Sequence, residues 1–338
     1  MSALEKTRSA VDKRVKFTLS ARPPFNFLSV VNSRGWRQLA PFSYDENTNM
    51  LSYVMRLSNG RVIELELRDA KDGVIVETQQ LNNTERQEVA DKVTWMFGLD
   101  MDFSLFYAAS RGEPKLARAK KRALGRVLRS PTLFEDVIKT ILTTNTLWAA
   151  TKNMTFRLVN EFGEYLSSAG RAARNDSEGR TLIPRSGREP AGARRPGASA
   201  GAETKAFPTP EVIAASTPDE IKEYIRVGYR APAIHELAVR VASGQFDLES
   251  LKTSDLPTLE LRKELLTING VGPYAAANLL MILGRHDFIP IDSYALKLVS
   301  HEWYGGEPVT AKEIEKRFEK WGEFKGLAFW FWDWKYDG

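Results

Sequence analysis

The sequence predicts an α+β fold in which a small antiparallel β-sheet domain comes first and an all-helical domain follows. Residues 13 to 80 contain short segments that alternate apolar and polar residues or are β-branched, separated by turn sequences such as SNG and KDG. From residue 130 onward, apolar residues recur at helical spacing. A chain of 338 residues is long enough for two domains of ordinary size.

The first domain is predicted to span residues 13 to 110, after a flexible N-terminus over residues 1 to 12. Its predicted strands are KFTLS, WRQLAPF, LSYVMRL, VIELELR and GVIVETQ. Thr84 and Gln87 form a possible capping box before RQEVADKVTWMFGL, whose apolar residues have helical spacing. We therefore expect one helix to close this domain.

The helical domain is predicted to comprise residues 111–166 and 207–338. Its candidate helices are 131–145, 147–163, 210–224, 230–243, 257–267, 273–283, 293–302, 310–320 and 323–334. Residues 167–206 interrupt them with a segment that is rich in Gly, Ala, Arg, Ser and Pro and poor in large apolar groups. We expect this segment to be a disordered basic insertion that leaves and re-enters the domain at its surface.

Composition excludes several kinds of chemistry. The chain has no cysteine, which rules out disulfides, thiolate zinc sites and iron–sulfur clusters, and it has only three histidines. We expect no metal centre, and we expect carboxylates to carry out any acid–base catalysis. No apolar run approaches the length of a membrane span, and the first residues lack the apolar stretch of a signal peptide.

Positive charge is concentrated in one part of the sequence. The formal net charge is +5, and residues 111 to 130 carry eight Lys or Arg against the single acid Glu113. Residues 207 to 338 instead carry more acids than bases. A surface that faces phosphates would show this pattern, and so would a solvated helix face joined to a charged linker.

Two helical patterns within residues 261 to 284 are joined by Asn269, Gly270, Val271 and Gly272, and Pro273 opens the second. The glycines allow a tight hairpin and leave room for a phosphate oxygen to reach the free N–H groups of the second helix. The same pattern is also typical of an ordinary helix–helix turn.

Asp292 lies 20 residues beyond Gly272 and directly before a helical pattern. A helix-hairpin-helix followed by a Gly/Pro-containing loop that ends in Asp resembles the helix-hairpin-helix DNA glycosylase superfamily. The segments SPTLFEDVIKTILTTNT, FPTPEVIAAS, VGYRAPAIHELA and AKEIEKRFEKWGEFKGLAFWFW look like successive parts of 8-oxoguanine DNA glycosylase and 3-methyladenine DNA glycosylase II. Asp292 is also a possible N-cap.

The resemblance implies that Asp292 is the catalytic carboxylate, which stabilises positive charge on the sugar as the base leaves. In bifunctional relatives a lysine follows the second hairpin glycine by two residues, whereas this chain has Tyr274 there. The implied activity is therefore that of a monofunctional glycosylase that uses water.

The resemblance also implies residues that contact the opened duplex. Asn145 matches an asparagine that enters the gap, and Tyr229 and Arg230 match a wedging tyrosine and an arginine that contacts the orphaned base. Ala150 replaces a second such arginine. From the residues alone, Asn145 could equally be a polar residue inside a helix, and Tyr229 and Arg230 a loop before one.

For the base pocket we expect contributions from Tyr274, Asn278, Tyr294 and Trp330. The surrounding aromatic run, residues 329 to 334, is better explained as a helix docked by its aromatic faces.

The expected function is base excision repair: a damaged purine, oxidised or alkylated, is flipped from double-stranded DNA and its N-glycosidic bond is hydrolysed. The alternative is a non-catalytic helix-hairpin-helix DNA-binding protein, which would have no need of Asp292. A glycosylase with lyase activity is a third interpretation, which Tyr274 disfavours.

We expect a monomer with no membrane partner and no cofactor, and a monovalent cation at the hairpin is left open. The expected location is the cytoplasm with the nucleoid in a bacterium, or the nucleus or a DNA-containing organelle in a eukaryote.

Overall fold

A computed structural model describes residues 14–166, 205–332 and 334, and it has the predicted α+β architecture. The predictions for residues 1–12 and for most of 167–206 lie outside this part of the chain. A five-stranded antiparallel sheet has the order β1-β5-β4-β3-β2. The strands are β1 Arg14–Ser20, β2 Phe42–Asp45, β3 Met50–Arg56, β4 Val62–Ala70 and β5 Gly73–Gln79.

The sheet forms because its strands alternate buried apolar residues with partly exposed polar ones. In β4, Leu65 and Leu67 are fully buried, whereas Glu64 and Glu66 lie on the other face. Gly73 begins β5 opposite Ser20, where an added Cβ would lie 2.1 Å from the carbonyl oxygen of Leu19. The close approach of β1 to the start of β5 therefore requires glycine at this position.

The prediction that WRQLAPF is a strand was wrong. Gly35–Gln38 forms a short 3₁₀ helix, and β2 begins only after Pro41, which has no N–H to contribute to a ladder. Trp36 is directed inward because its indole N–H donates to Asp136 Oδ1 at 2.6 Å. A short helix, α1 (Phe27–Val31), precedes this segment and was not predicted.

The helix after the sheet, α2 (Asn83–Phe97), was predicted, but its capping box was misplaced. The Asn82 side chain accepts a hydrogen bond from Glu85 N, and the Glu85 carboxylate accepts one from Asn82 N. The pair Thr84 and Gln87 lies two residues too late. Asn82 is itself a favoured N-cap residue with Glu three positions on, so the signal was present in the sequence.

Of the remaining helices, α3 was not predicted, and the others follow the predicted order. They are α3 Ser104–Ala109, α4 Leu133–Thr143, α5 Trp148–Phe162, α6 Pro210–Ala214, α7 Pro218–Ile225, α8 Ala231–Ala242, α9 Thr258–Leu266, α10 Pro273–Ile282, α11 Ser293–Trp303, α12 Ala311–Phe318 and α13 Lys325–Trp330. The predicted helix 210–224 is two helices, because Pro218 disfavours a helical Thr217 and Thr217 caps α7 instead. The predicted helix 323–334 is shorter, since a 3₁₀ segment, Glu319–Phe324, precedes α13 and the helix ends at Trp330.

Two apolar cores hold these elements together. The larger one joins the inner face of the sheet to the helices from α4 to α10. The second joins α3, which the prediction assigned to the first domain, to the C-terminal helices from α11 to α13. The domain boundary near residue 110 stays a prediction, but packing ties residues on both of its sides together.

The ends of the predicted insertion meet at the protein surface, where Tyr165 and Lys205 form an antiparallel bridge. Within the described residues, no helix has both the length and the apolar character that crossing a membrane requires.

Candidate functional site

The predicted hairpin connects α9 and α10 through residues 267–272. Gly270 has a φ of 82°, which favours glycine, and its α-carbon faces Ala233 on α8. The Val271 side chain is buried, and its N–H donates to the carbonyl of Ile268. Val271 therefore anchors the hairpin in the core, and its N–H is already used within the turn.

Gly272 is a glycine for a different reason. Its φ is −90°, which any residue can adopt, and a Cβ added there would meet nothing within 4 Å. Neither its conformation nor its packing inside the protein requires glycine. Gly272 is the N-cap of α10, so the absence of a side chain leaves the N-terminus of that helix open to an approaching anion.

Asp292 occupies the N-cap position of α11, as the sequence suggested. Its Oδ1 accepts a hydrogen bond from Ala295 N at 2.9 Å, which fixes the carboxylate at the start of the helix. The side chain is half-buried. One carboxylate therefore caps α11 and still presents negative charge toward α10.

Tyr274 lies in the first turn of α10, close to Asp292. Burial raises the pKa of the Tyr274 phenol, and the negative charge of Asp292 raises it further. Asn278, one turn along the same helix, is buried, and its amide donates to the carbonyl of Tyr274 at 3.1 Å. Asn278 is thus one turn from Tyr274, and one of its two amide N–H groups is used within its own helix.

The two other predicted pocket aromatics differ in their surroundings. Trp330 is half-buried, and its indole N–H donates to the carbonyl of Ser33 at 2.8 Å. Tyr294, in the first turn of α11, is 52% exposed. Phe329, Phe331 and Trp332 are buried in the second core, which confirms that most of this aromatic run serves packing.

A second cluster lies at the end of α4, where Asn145 and Tyr229 meet. The helix ends at Thr143, and Asn145 adopts a left-handed conformation with a φ of 46°. Asn145 is therefore in a turn and is not a helix-interior residue. Its amide donates to the Tyr229 hydroxyl at 3.4 Å, and the Tyr229 side chain is 67% exposed. The two residues project together from the protein surface.

Arg230 follows Tyr229 but is buried. Its guanidinium donates to the carbonyls of Thr144 and Val227, and it lies 4.6 Å from the centre of the Tyr229 ring. In this state it supports the turn that carries Asn145. To reach an opposite base it would have to give up both backbone hydrogen bonds.

Several residues at this surface were not predicted. A groove of about 350 Å³ between α5 and α7 is lined by Ala150, Arg157, Arg226 and Arg230. Arg157 and Arg226 therefore line the same groove as Ala150, the position where the resemblance implies a second arginine. Leu147, two residues after Asn145, is 80% exposed. The sequence shows Leu147 directly after the polar segment TTNT, but the exposure of its side chain is visible only in the folded protein. The arginines were not detectable, because only folding brings α5 and α7 together.

The basic segment 111–130 combines two kinds of arginine and lysine. Arg118, Lys120 and Lys121 are exposed, as a phosphate-facing surface would require. Arg126 and Arg129 are buried, and Arg126 donates to the carbonyls of Arg22, Pro24, Gly98 and Met101. The count of eight bases therefore overstates the charge that this segment offers to a partner.

The chain is similar to known proteins over nearly its whole length. Residues 138–324 match the HhH-GPD superfamily of base excision DNA repair proteins. The DNA-3-methyladenine glycosylase of Bacillus subtilis (strain 168) is 22% identical over 300 residues, which cover 86% of this chain and 87% of that protein.

Two solved structures share the fold. The 3-methyladenine DNA-glycosylase from Archaeoglobus fulgidus has a TM-score of 0.68 at 20% identity and matches 94% of this chain and 97% of its own. The Clostridium acetobutylicum 8-oxoguanine glycosylase/lyase, in complex with double-stranded DNA containing cytosine opposite 8-oxoguanine, has a TM-score of 0.63 at 18% identity, with the same coverage.

The family match spans more than half of the chain and includes the α9–α10 hairpin, Tyr274 and Asp292. The order of the sheet, the hairpin and the capped helix α11 agrees with the resemblance seen in the sequence. The chain therefore belongs to the HhH-GPD superfamily of base excision DNA repair proteins.

Proposed function

We propose that the protein is a monofunctional DNA glycosylase that flips a damaged purine, oxidised or alkylated, out of double-stranded DNA and hydrolyses its N-glycosidic bond. The observation that carries this proposal is the Asp292 carboxylate, held by Ala295 N at the start of α11 and close to Tyr274. A fixed carboxylate stabilises the positive charge that develops on the sugar.

Family membership and the glycosylase relatives support the reaction class. A purely DNA-binding member would use the open N-terminus of α10 at Gly272 for a phosphate but would not need Asp292. The decisive experiment incubates the protein with duplexes that each carry one lesion opposite each of the four bases, and scores abasic sites after alkali. Release of a damaged base supports the proposal, and binding without release from any duplex favours the non-catalytic alternative.

We expect product strands to stay intact until heat or alkali is applied, and borohydride to trap no covalent complex. A Schiff base needs a neutral amine at the sugar, and the position used for it in bifunctional relatives carries Tyr274. Burial keeps the Tyr274 pKa above its usual value, so the phenol stays protonated and weakly nucleophilic. The assay is a borohydride trap with a bifunctional glycosylase as positive control. A trapped adduct would overturn the monofunctional assignment.

Arg230→Ala is expected to flatten the preference for the base opposite the lesion more than it slows excision from the best pair. Each lost base contact relaxes discrimination by about 1–3 kcal/mol, and arginine donors suit the acceptors of cytosine. The measurement is single-turnover excision opposite all four bases, with Arg226→Ala, which changes an arginine of the same groove, as the matched control. An unchanged rank order and spread in Arg230→Ala would mean that this residue only supports the Asn145 turn.

A further inference from the structure

Arg34 is a buried cation that neither the sequence patterns nor the family resemblance pointed to, and its positive charge partly offsets the rise that burial causes in the pKa of the Tyr274 phenol. Its side chain is 8% exposed, and its guanidinium carbon lies 3.5 Å from the centre of the Trp36 ring. Trp330 is the second aromatic neighbour, at 6.0 Å. Arg34 thus lies between a core tryptophan and one of the predicted pocket residues.

Among the residues that the structure describes, the Arg34 guanidinium has no hydrogen-bond acceptor. Within the described residues, Arg34 forms no hydrogen bond and no ion pair, and its buried Nε has no partner. Buried arginine donors are normally satisfied, because desolvating them without a partner is costly. Of the other buried arginines, Arg126 donates from Nε to the carbonyl of Gly98, and Arg129 also has an unpartnered Nε but donates from Nη1 to the carbonyl of Trp95.

Arg34 nevertheless remains charged. Burial lowers its pKa to about 10, and the negative charge of Asp136 opposes that shift. The Asp136 carboxylate accepts its hydrogen bonds from Trp36 Nε1 and Ser130 N. The negative charge of Asp136 therefore stabilises the charged form of Arg34, and the N–H donors of Arg34 remain available to a ligand.

The loop that presents Arg34 is held from several sides. Ser33 Oγ accepts from Leu128 N at 2.8 Å, and the Ser33 carbonyl accepts from Trp330 Nε1 at 2.8 Å. A Cβ on Gly35 would lie 2.2 Å from the Trp148 ring, so this ring packs directly on the loop backbone. A donor group held by such contacts is preorganised for a ligand.

We infer that Arg34 reads the flipped base and makes the site selective for uncharged purines that carry a carbonyl oxygen, over purines that are cationic because they are alkylated. This inference rests on the proposed glycosylase function. A guanidinium offers only donors in a planar fork, so it suits the carbonyl oxygen of an oxopurine, which is O6 in hypoxanthine and O6 or O8 in 8-oxoguanine. In a buried site, the same positive charge repels a cationic base.

The test compares single-turnover excision from four duplexes opposite the same base. Two carry neutral oxopurines, 8-oxoguanine and hypoxanthine, and two carry cationic purines, 7-methylguanine and 3-methyladenine. Each rate is divided by the spontaneous rate of base loss from the same duplex. The proteins are wild type, Arg34→Met, Arg34→Lys and the control Arg37→Met. Arg37 is also buried but pairs with Glu46.

For the wild type we expect larger rate enhancements on the two neutral oxopurines. Arg34→Met should lower these by at least about tenfold, the effect of losing a hydrogen bond to a charged group, while cationic lesions change less than threefold or improve. Arg34→Lys keeps the charge without the fork, so it should lose activity on neutral lesions and gain none on cationic ones. Arg37→Met should keep the wild-type order of lesions.

The outcomes separate this inference from the proposed function. If the wild type releases no base from any duplex, the glycosylase proposal fails and the inference fails with it. If the wild type prefers the cationic lesions, or if Arg34→Met slows all four by the same factor, the glycosylase stands and the inference is overturned. A parallel loss of affinity for undamaged duplex in Arg34→Met would assign Arg34 to a phosphate instead.

Discussion

Asp292→Asn is expected to lower the single-turnover rate of base release at least about a hundredfold, the usual effect of removing one preorganised electrostatic group from a transition state. The structure makes this substitution unusually specific. Asn is as good an N-cap as Asp, so its side-chain oxygen can keep the hydrogen bond from Ala295 N that Asp292 now accepts. The variant therefore loses the charge and keeps the cap.

The matched comparison is Asp292→Ala, which loses both the charge and the cap. It should show the same loss of activity and, in addition, about 1 kcal/mol less stability. Duplex binding by Asp292→Asn should stay close to that of wild type, because Asp292 offers phosphates no attraction. If the rate of base release by Asp292→Asn stays within about threefold of the wild-type rate, Asp292 serves only as a helix cap.

Lys139→Met is expected to destabilise the protein by about 3–5 kcal/mol, the usual cost of leaving one partner of a buried ion pair alone. Lys139 is 0% exposed, and its Nζ donates to Glu135 Oε1 at 2.6 Å. The other oxygen of Glu135 accepts from the Tyr53 hydroxyl at 2.5 Å. This network joins β3 to α4, the helix that leads directly to Asn145. Without Lys139, a buried carboxylate would keep only one partner.

The measurement is the free energy of unfolding from urea denaturation. The triple variant Tyr53→Phe, Glu135→Leu and Lys139→Met, which replaces the whole network by apolar groups, should recover much of the loss. The control is Lys263→Met, which breaks the exposed ion pair with Glu260 and should cost less than about 1 kcal/mol. A loss below 1 kcal/mol in Lys139→Met would show that the buried network contributes little.

The sequence predicted the parts of the fold whose signals are local. Period-two alternation predicted four of the five strands, and the cap residue Asp292 marks the start of α11 directly in the sequence. It misassigned WRQLAPF, because the contact that turns Trp36 inward comes from Asp136, 100 residues away. A pattern read within a short window contains no information about such a partner.

The same division holds for the candidate site. The sequence identified the hairpin glycines and the cap residue Asp292 by their spacing, whereas the roles of Tyr274, Asn145 and Tyr229 followed only from the family resemblance and stay predictions. The tertiary structure alone decided which basic residues are available. It buries Arg126 and Arg230 against backbone carbonyls, and among the described residues it leaves the buried Nε of Arg34 without a partner. The physical reason is that a charge acts through its surroundings: its partners and its desolvation depend on residues that are distant in sequence and that only packing brings together.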